Sequence, residues 1–518
     1  MPARYRAAVR TPDPLRLPDL AGAIDVCAVI PSGPDGPGRL TDELARAGIA
    51  MALARHRDAL LADPDAGNRR AAEAAASCAG AILPMAVFAP IRSGDADAAV
   101  RRAVAGGAVA AWLGTATWYA SPATPSAATD DLMAAVARAG LPLFVPVESW
   151  GDATALGERT ADLGIPVVLV GAHYVHITDD LAAAERWPHL LLDTSRLAHF
   201  QAIETAVARI GHERLLLGSG VPERAPTSPV NAVMAAAIPD DAKRAILGGN
   251  AARLLGLSSL PPIRLRPPIL AGGAIDVHGH LAPTPWDVPD LGPVALADAQ
   301  AARGVAITVA SSIEAIAAHA PTGNAAAVRD VAGEGRLRAY LVADPRDLPA
   351  TRRDLARHGD AVNVAGIKVH AQWSGTATAD PSMAELFDLL AAHGRPVKIH
   401  NDGDGWEAAL RTLADRHPRL PIIVAHAGPG TPSMASARLA ASTANVHLEL
   451  ASSFASLPEV RAVIAATPPD RLLFGTDAPL LEPAFVLGTY ADAGITPETH
   501  PDVFHGTAAR IFGIEARP

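Results

Sequence analysis

Cysteine is nearly absent from this sequence of 518 residues: only Cys27 and Cys78 occur. Two thiols argue against a disulfide scaffold and a multi-thiolate metal site and fit a reducing cytoplasm. Any bound metal must then be held by nitrogen and oxygen. An excess of basic charge is missing as well. The formal net charge is -10, with no basic stripe, which argues against nucleic acid as a partner. Long hydrophobic runs are also lacking, because charges or prolines break every Ala-rich apolar stretch before it reaches spanning length. The N-terminal Met-Pro-Ala-Arg-Tyr-Arg has no apolar signal core, so no membrane reading survives.

What is present is a composition able to bury large cores, 49% hydrophobic and 19% charged, with 43 Gly and 45 Pro dispersed along the chain. The length predicts two domains, each of a size typical for a barrel. Short β-branched apolar runs alternate with Ala-, Arg- and Leu-rich segments of helical period, which is the rhythm of parallel βα units. In the second half strands are expected near 274–278, 306–310, 337–342, 366–370, 396–400, 422–426, 446–450 and 471–475. Eight such runs predict a closed (β/α)8 barrel of the TIM type.

The first half repeats the pattern in the same order. Ala21-Gly22-Ala23-Ile24-Asp25-Val26-Cys27 parallels Gly272-Gly273-Ala274-Ile275-Asp276-Val277-His278. The run from Val109 to Trp118 parallels that from Val364 to Trp373, and Arg214–Gly220 parallels Arg471–Asp477. Matches kept in order at nearly one spacing predict a tandem duplication rather than two unrelated barrels. The expected architecture is therefore two tandem α/β barrels, over 1–257 and 274–518, joined by a Pro-rich linker over 258–273.

Residues two apart in a strand face the same way, so His278 and His280 project together at the end of the first strand of the second barrel. His400 closes the fifth strand, His426 the sixth, and Asp477 follows the eighth in Gly475-Thr476-Asp477-Ala478-Pro479. All fall at C-terminal strand ends, the face on which barrel enzymes build their sites. Imidazole and carboxylate donors suit zinc, manganese or iron(II) and leave a position open for water.

Asp276-Val277-His278-Gly279-His280, the strands of His400 and His426 and the Gly-Thr-Asp-Ala-Pro segment together resemble the amidohydrolase superfamily. The resemblance is to its amidohydrolase-related branch of hydrolases and non-oxidative decarboxylases, and it covers the whole second half. It implies that His278, His280, His400 and Asp477 hold the metal and that His426 is catalytic or polarises substrate. It also implies that Asp477 exchanges protons with the metal's water. One divalent ion, zinc before manganese or iron, is expected, acting in hydrolysis of a small-molecule amide, lactone or related bond. Decarboxylation of a small carboxylic acid is the alternative, and a non-catalytic scaffold is the alternative of another class.

Lys368 lies on the fourth strand, where binuclear members of the superfamily carry a carboxylated lysine. It is read here as a substrate or structural cation, and Lys398 as inward-pointing, with a buried carboxylate such as Asp276 as one partner. His370, Trp373, Asp402 and Trp406, with Asp404, are expected to line the substrate pocket. The small-molecule substrate leaves room for a homo-oligomer as a further partner. In the first half the same places hold Cys27 for His278, Val29 for His280, Pro146 for His400, Gly220 for Asp477 and Leu113 for Lys368. His426 falls on Gly171 or, with a small gap, His173. The first barrel is therefore expected to be a pseudo-enzyme with a structural or regulatory role, against the alternative that His173, His176 and Glu148 form a new site.

Overall fold

A computed structural model describes residues 22–90, 94–114, 121, 123–258, 273–281 and 283–514. The chain divides into two compact units, Met1–Pro267 and Pro268–Pro518. Most of the expected linker, 259–272, and the end of the repeat at Trp118 lie outside the described residues.

In the first unit β1 (Ala23–Ile30), β2 (Ile49–His56), β3 (Ile82–Phe88), β4 (Ala110–Leu113), β5 (Leu143–Pro146), β6 (Val167–Val170), β7 (Leu190–Asp193) and β8 (Leu215–Leu216) pair in chain order. All pairs are parallel. Hydrogen bonds from Val26 N to Leu217 O (2.8 Å) and from Gly220 N to Cys27 O (3.0 Å) join the last strand to the first and close the barrel. In the second unit β9 (Ala274–Leu281), β10 (Val305–Ser312), β11 (Leu337–Val342), β12 (Val364–His370), β13 (Val397–His400), β14 (Ile422–Val424), β15 (Val446–Glu449) and β16 (Leu472–Leu473) repeat that order. Val277 N to Phe474 O (3.0 Å) and Asp477 N to His278 O (2.7 Å) close this barrel.

Strands such as Val167–Val170 are buried on both faces, which is why they read as unbroken apolar runs. Helices bury one stripe against them. The helix Ala202–Ile210 buries Ala202, Ile203, Ala206 and Ile210 at the spacing of one helical face. Starts are fixed by caps: Ser456 and Glu459 form a reciprocal capping box ahead of the helix Leu457–Ala466. The core of the second barrel is filled by Ile275, Val277, Val309, Tyr340, Ile423 and Leu473. The Tyr340 hydroxyl donates to Val277 O at 3.0 Å, so this large buried ring leaves no polar atom stranded. No helix among the described residues is long and apolar enough to cross a membrane.

The strand register corrects one sequence correspondence. Asn68 clasps Val87 through its backbone N–H (2.8 Å), as Asn324 clasps Val342 (2.7 Å), so these two positions are equivalent. Val87 pairs with Trp112, and Val342 with Lys368. Trp112, not Leu113, therefore stands in the place of Lys368. An irregularity between β11 and β12 shifts the register by one residue, and uniform sequence spacing cannot show this.

Candidate metal centre

β9 delivers His278 and His280 side by side, both buried. The Asp477 backbone, held by its N–H to His278 O, adopts a left-handed conformation with φ 63°. That turn brings Asp477 Oδ1 to 2.9 Å from His280 Nε2 and 3.4 Å from His278 Nε2. The donor atoms of His278, His280 and Asp477 all lie within 4.8 Å of one another, the spacing at which three groups can share one ion.

The remaining ring nitrogens determine which lone pairs are free. His278 Nδ1 lies 2.6 Å from Glu449 Oε2, and His426 Nδ1 lies 2.5 Å from Ala451 O. A carboxylate and a carbonyl only accept, so each Nδ1 carries the proton and each Nε2 keeps its lone pair. His400 follows the same rule, with Nδ1 3.3 Å from Asn401 O, and Ser311 Oγ sits 3.3 Å from His280 Nδ1. Burial pushes the imidazoles of His278 and His400 well below their usual pKa, helped by nearby cations, and lowers that of His280. Neutral rings are what a metal needs. Burial pushes the Asp477 carboxyl up, but the hydrogen bond from His280 and the electrostatic influence of the histidines and Lys368 around it outweigh it. The net result is a lowered value and an ionised ligand.

Glu449 escaped the sequence reading. It ends β15, is fully buried, and accepts from His278 Nδ1, from Lys398 Nζ (3.2 Å), from the Ala451 N–H (2.5 Å) and weakly from the His426 N–H (3.4 Å). One carboxylate thus orients two histidines and neutralises a buried lysine. The signal was available as a lone acid closing an otherwise apolar strand, Val446-His447-Leu448-Glu449. Lys398 also donates to Val277 O at 2.9 Å. Its carboxylate partner is therefore Glu449, whereas Asp276 is held by Thr476, Gln300 and the His278 N–H.

His426 does not extend its strand as expected. β14 stops at Val424, and His426 occupies a tight turn at φ 57°, which aims its ring 4.8 Å from His278 and 5.0 Å from His400. His400 belongs to neither of the two close donor groups found among the described residues, His278/His280/Asp477 and His278/His426/Glu449. It lies one ring further out, stacked on His370 at 4.2 Å. Lys368 is buried, and desolvation followed by the Lys398 charge pushes its pKa down to about 7.

Trp373 lies 5.9 Å from His370 and 5.9 Å from Trp286, an unforeseen second aromatic. Trp406 is buried at the first turn of the helix Trp406–Arg416, and Asp402 is tied by its backbone to Thr378. Neither shares a hydrogen bond or ring contact with the histidine cluster among the described residues. Asp404 is exposed.

In the first barrel the matching positions hold Cys27, Val29, Pro146, Gly171 and Gly220, and no close donor group is found there among the described residues. His176 is paired with Asp180 at 2.8 Å, while Glu148 is exposed.

The sequence matches the family model described as amidohydrolase twice, over residues 22–257 and 275–514. No curated protein matches. Among solved structures, 2,6-dihydroxybenzoate decarboxylase from Rhizobium is similar at 17% identity and a TM-score of 0.39, covering 47% of this chain and 99% of its own. A 5-carboxyvanillate decarboxylase from Sphingomonas paucimobilis shows 17% identity and a TM-score of 0.37, with 47% and 99% coverage. Dihydroxybenzoic acid decarboxylase from Polaromonas sp., solved with bound manganese, shows 16% identity and a TM-score of 0.38, with 47% and 97% coverage.

Proposed function

The chain belongs to the amidohydrolase family, and on that premise we propose that its second barrel is a divalent-metal-dependent hydrolase of a small molecule. The observation that carries this reading is the convergence of His278 Nε2, His280 Nε2 and Asp477 Oδ1 at a buried point of a barrel's C-terminal face. The donor set fits an ion: the rings are neutral, their other nitrogens are engaged, and the carboxylate is ionised. His278, His280 and Asp477 would hold it, with His400 reaching in from the fifth strand. Zinc suits this nitrogen and oxygen set, as do manganese and iron(II). When bound, such an ion supplies Lewis acidity and brings the pKa of water towards neutrality.

The chain's own residues do the rest. Asp477 accepts a proton at its carboxylate and returns it to the leaving group. His426, its Nδ1–H fixed on Ala451 O, keeps Nε2 available to the substrate. Glu449 keeps His278 in one tautomer, and buried Lys368, its pKa pushed down to about 7, can hold or release a proton near neutrality.

One feature favours a second reading. The Trp286 and Trp373 rings, 5.9 Å apart with Trp373 5.9 Å from His370, suit a flat carboxylic acid, which would make Asp477 the proton donor to carbon in a non-oxidative decarboxylation. A substrate panel assayed for carbon dioxide release and for incorporation of labelled water separates the two. Underlying both is metal binding. His278→Ala and Asp477→Asn are expected to strip stoichiometric metal from the purified protein, and metal content unchanged in both variants would remove the basis of the proposal. In the same reading the two barrels descend from one duplicated unit, of which the first has lost this chemistry.

A further inference from the structure

The histidines gathered at the C-terminal face of the second barrel do not all present the same nitrogen. His278, His400 and His426 give Nδ1–H to oxygen acceptors and keep Nε2 as a lone pair. His370 is turned the other way. It ends β12 and caps the short helix Ala371–Ser374, where its Nδ1 accepts the backbone N–H of Trp373 at 3.3 Å. A ring nitrogen that accepts carries no proton, so the proton of this imidazole sits on Nε2. Among the described residues no acceptor meets that N–H.

The ring is also held in place. One face stacks on His400, with centroids 4.2 Å and planes 10° apart, and the Trp373 ring stands 5.9 Å away. A half-turn of the imidazole would take the acceptor away from the Trp373 N–H. A donor fixed in this way and left without an acceptor is arranged in advance for an oxygen that arrives with a ligand. The first barrel separates this feature from the needs of the fold. Trp112 corresponds there to Lys368, so Gly114, two residues on, stands in the place of His370. That barrel closes without an imidazole at this point, as it does without the metal ligands.

We propose that His370 is a substrate-binding residue of the second barrel, donating Nε2–H to an acceptor oxygen, of a carboxylate or a carbonyl, on the molecule bound beside His400. The proposal rests on the reading of this barrel as a metal-dependent enzyme and adds a neutral donor to it. Asp477 trades protons, whereas His370 orients and polarises the oxygen and keeps its own proton.

Two substitutions separate this role from that of a helix cap. Asn sets its amide oxygen near the place of Nδ1, where it still caps, and does not reach the place of Nε2. Gln reaches that place with an N–H donor and gives up the cap. The first readout needs neither metal nor substrate. In long-range proton–nitrogen correlation spectra of the metal-free, isotope-labelled full chain, the signals lost in His370→Asn are expected to be those of a neutral ring protonated at Nε2. The second readout is calorimetric titration of the zinc-loaded full chain with benzoate and with benzamide, of which at least one is expected to bind. His370→Asn should weaken that binding roughly fivefold or more, the scale of one lost hydrogen bond, and His370→Gln by less than about twofold, both at unchanged zinc content. Whichever probe responds identifies the oxygen as that of a carboxylate or of a carbonyl. A ring protonated at Nδ1, neither probe bound by the zinc-loaded wild type, Gln weakening binding as much as Asn, or zinc lost in His370→Asn would each overturn the proposal. Wild-type protein that takes up no zinc would instead defeat the metal-dependent reading, and the tautomer would still be read from the metal-free chain.

Discussion

Replacing Glu449 by Gln removes one charge and almost no volume, yet it touches two groups of the second barrel at once, Lys398 and His278. Lys398 Nζ, fully buried, would keep only Val277 O as a described partner, and His278 Nδ1 would lose its charged acceptor. Breaking a buried ion pair from one side costs about 3–5 kcal/mol, because the other charge is left uncompensated. Loss of the carboxylate that orients a ligating histidine typically costs roughly 10–100-fold in metal affinity. The expected outcome for Glu449→Gln is therefore an unfolding free energy of the second barrel lower by about 3 kcal/mol or more, together with a metal affinity weakened at least tenfold. Chemical denaturation without metal and competitive metal titration measure the two separately. The double variant Glu449→Gln with Lys398→Met removes both charges and should recover most of the stability while the metal defect persists. If the single variant keeps wild-type stability and affinity, or if the double variant is as unstable as the single, Glu449 does not join these groups as described.

Two further outcomes follow from the same geometry. His278, His280 and His400 have imidazoles held below the ordinary value, so protons should compete with metal only at lower pH than usual. Each imidazole titrating near 6.5 would cost about fourfold in affinity on going from high pH to pH 6. Competitive titration between pH 7.5 and 6 should instead show a loss well under tenfold in total, whereas a loss of fiftyfold or more would mean that the rings titrate normally. Gly475→Ala should act on the site without touching a ligand. Its Cβ would fall 2.5 Å from Glu449 Cγ and 2.6 Å from Oε1, displacing the carboxylate and weakening metal binding as Glu449→Gln does. Unchanged metal affinity in a folded Gly475→Ala protein would show that Glu449 can move without consequence.

Eight strands were legible in the second barrel because their residues are largely buried on both faces and are repeatedly followed by turn formers, and the first barrel was legible through its repeat of the same pattern. Leu337–Val342 falls where the apolar run places it. The eighth strand shrank to Leu472–Leu473, since the segment Phe474–Ala478 bends away to close the barrel through backbone bonds to β9. His278 and His280 were legible for a simple reason: a period of two needs no tertiary information. Glu449 was not, because its meaning lies in what faces it across the barrel, on β9 and β13. Trp406 shows the converse. Its place after the fifth strand suggested a pocket wall, but the helix it begins buries it.

The left-handed backbone at His426 and Asp477 has a consequence for change over time. For residues with a β-carbon such a conformation stores about 1–3 kcal/mol each, and the surrounding fold must sustain it. The first barrel bends its chain in the same way at Gly171 (φ 90°) and Gly220 (φ 75°), where glycine sustains the turn without that strain. Discarding the histidine and the aspartate is therefore downhill for the fold, and regaining them is uphill. A designer who grafts Gly171→His and Gly220→Asp onto the first barrel meets this backbone strain again. The new Cβ atoms would come to 3.6 Å from Arg196 Cδ and 3.4 Å from Arg224 Cδ, which is ordinary contact. At these two turns the second barrel carries a backbone cost that the first barrel does not.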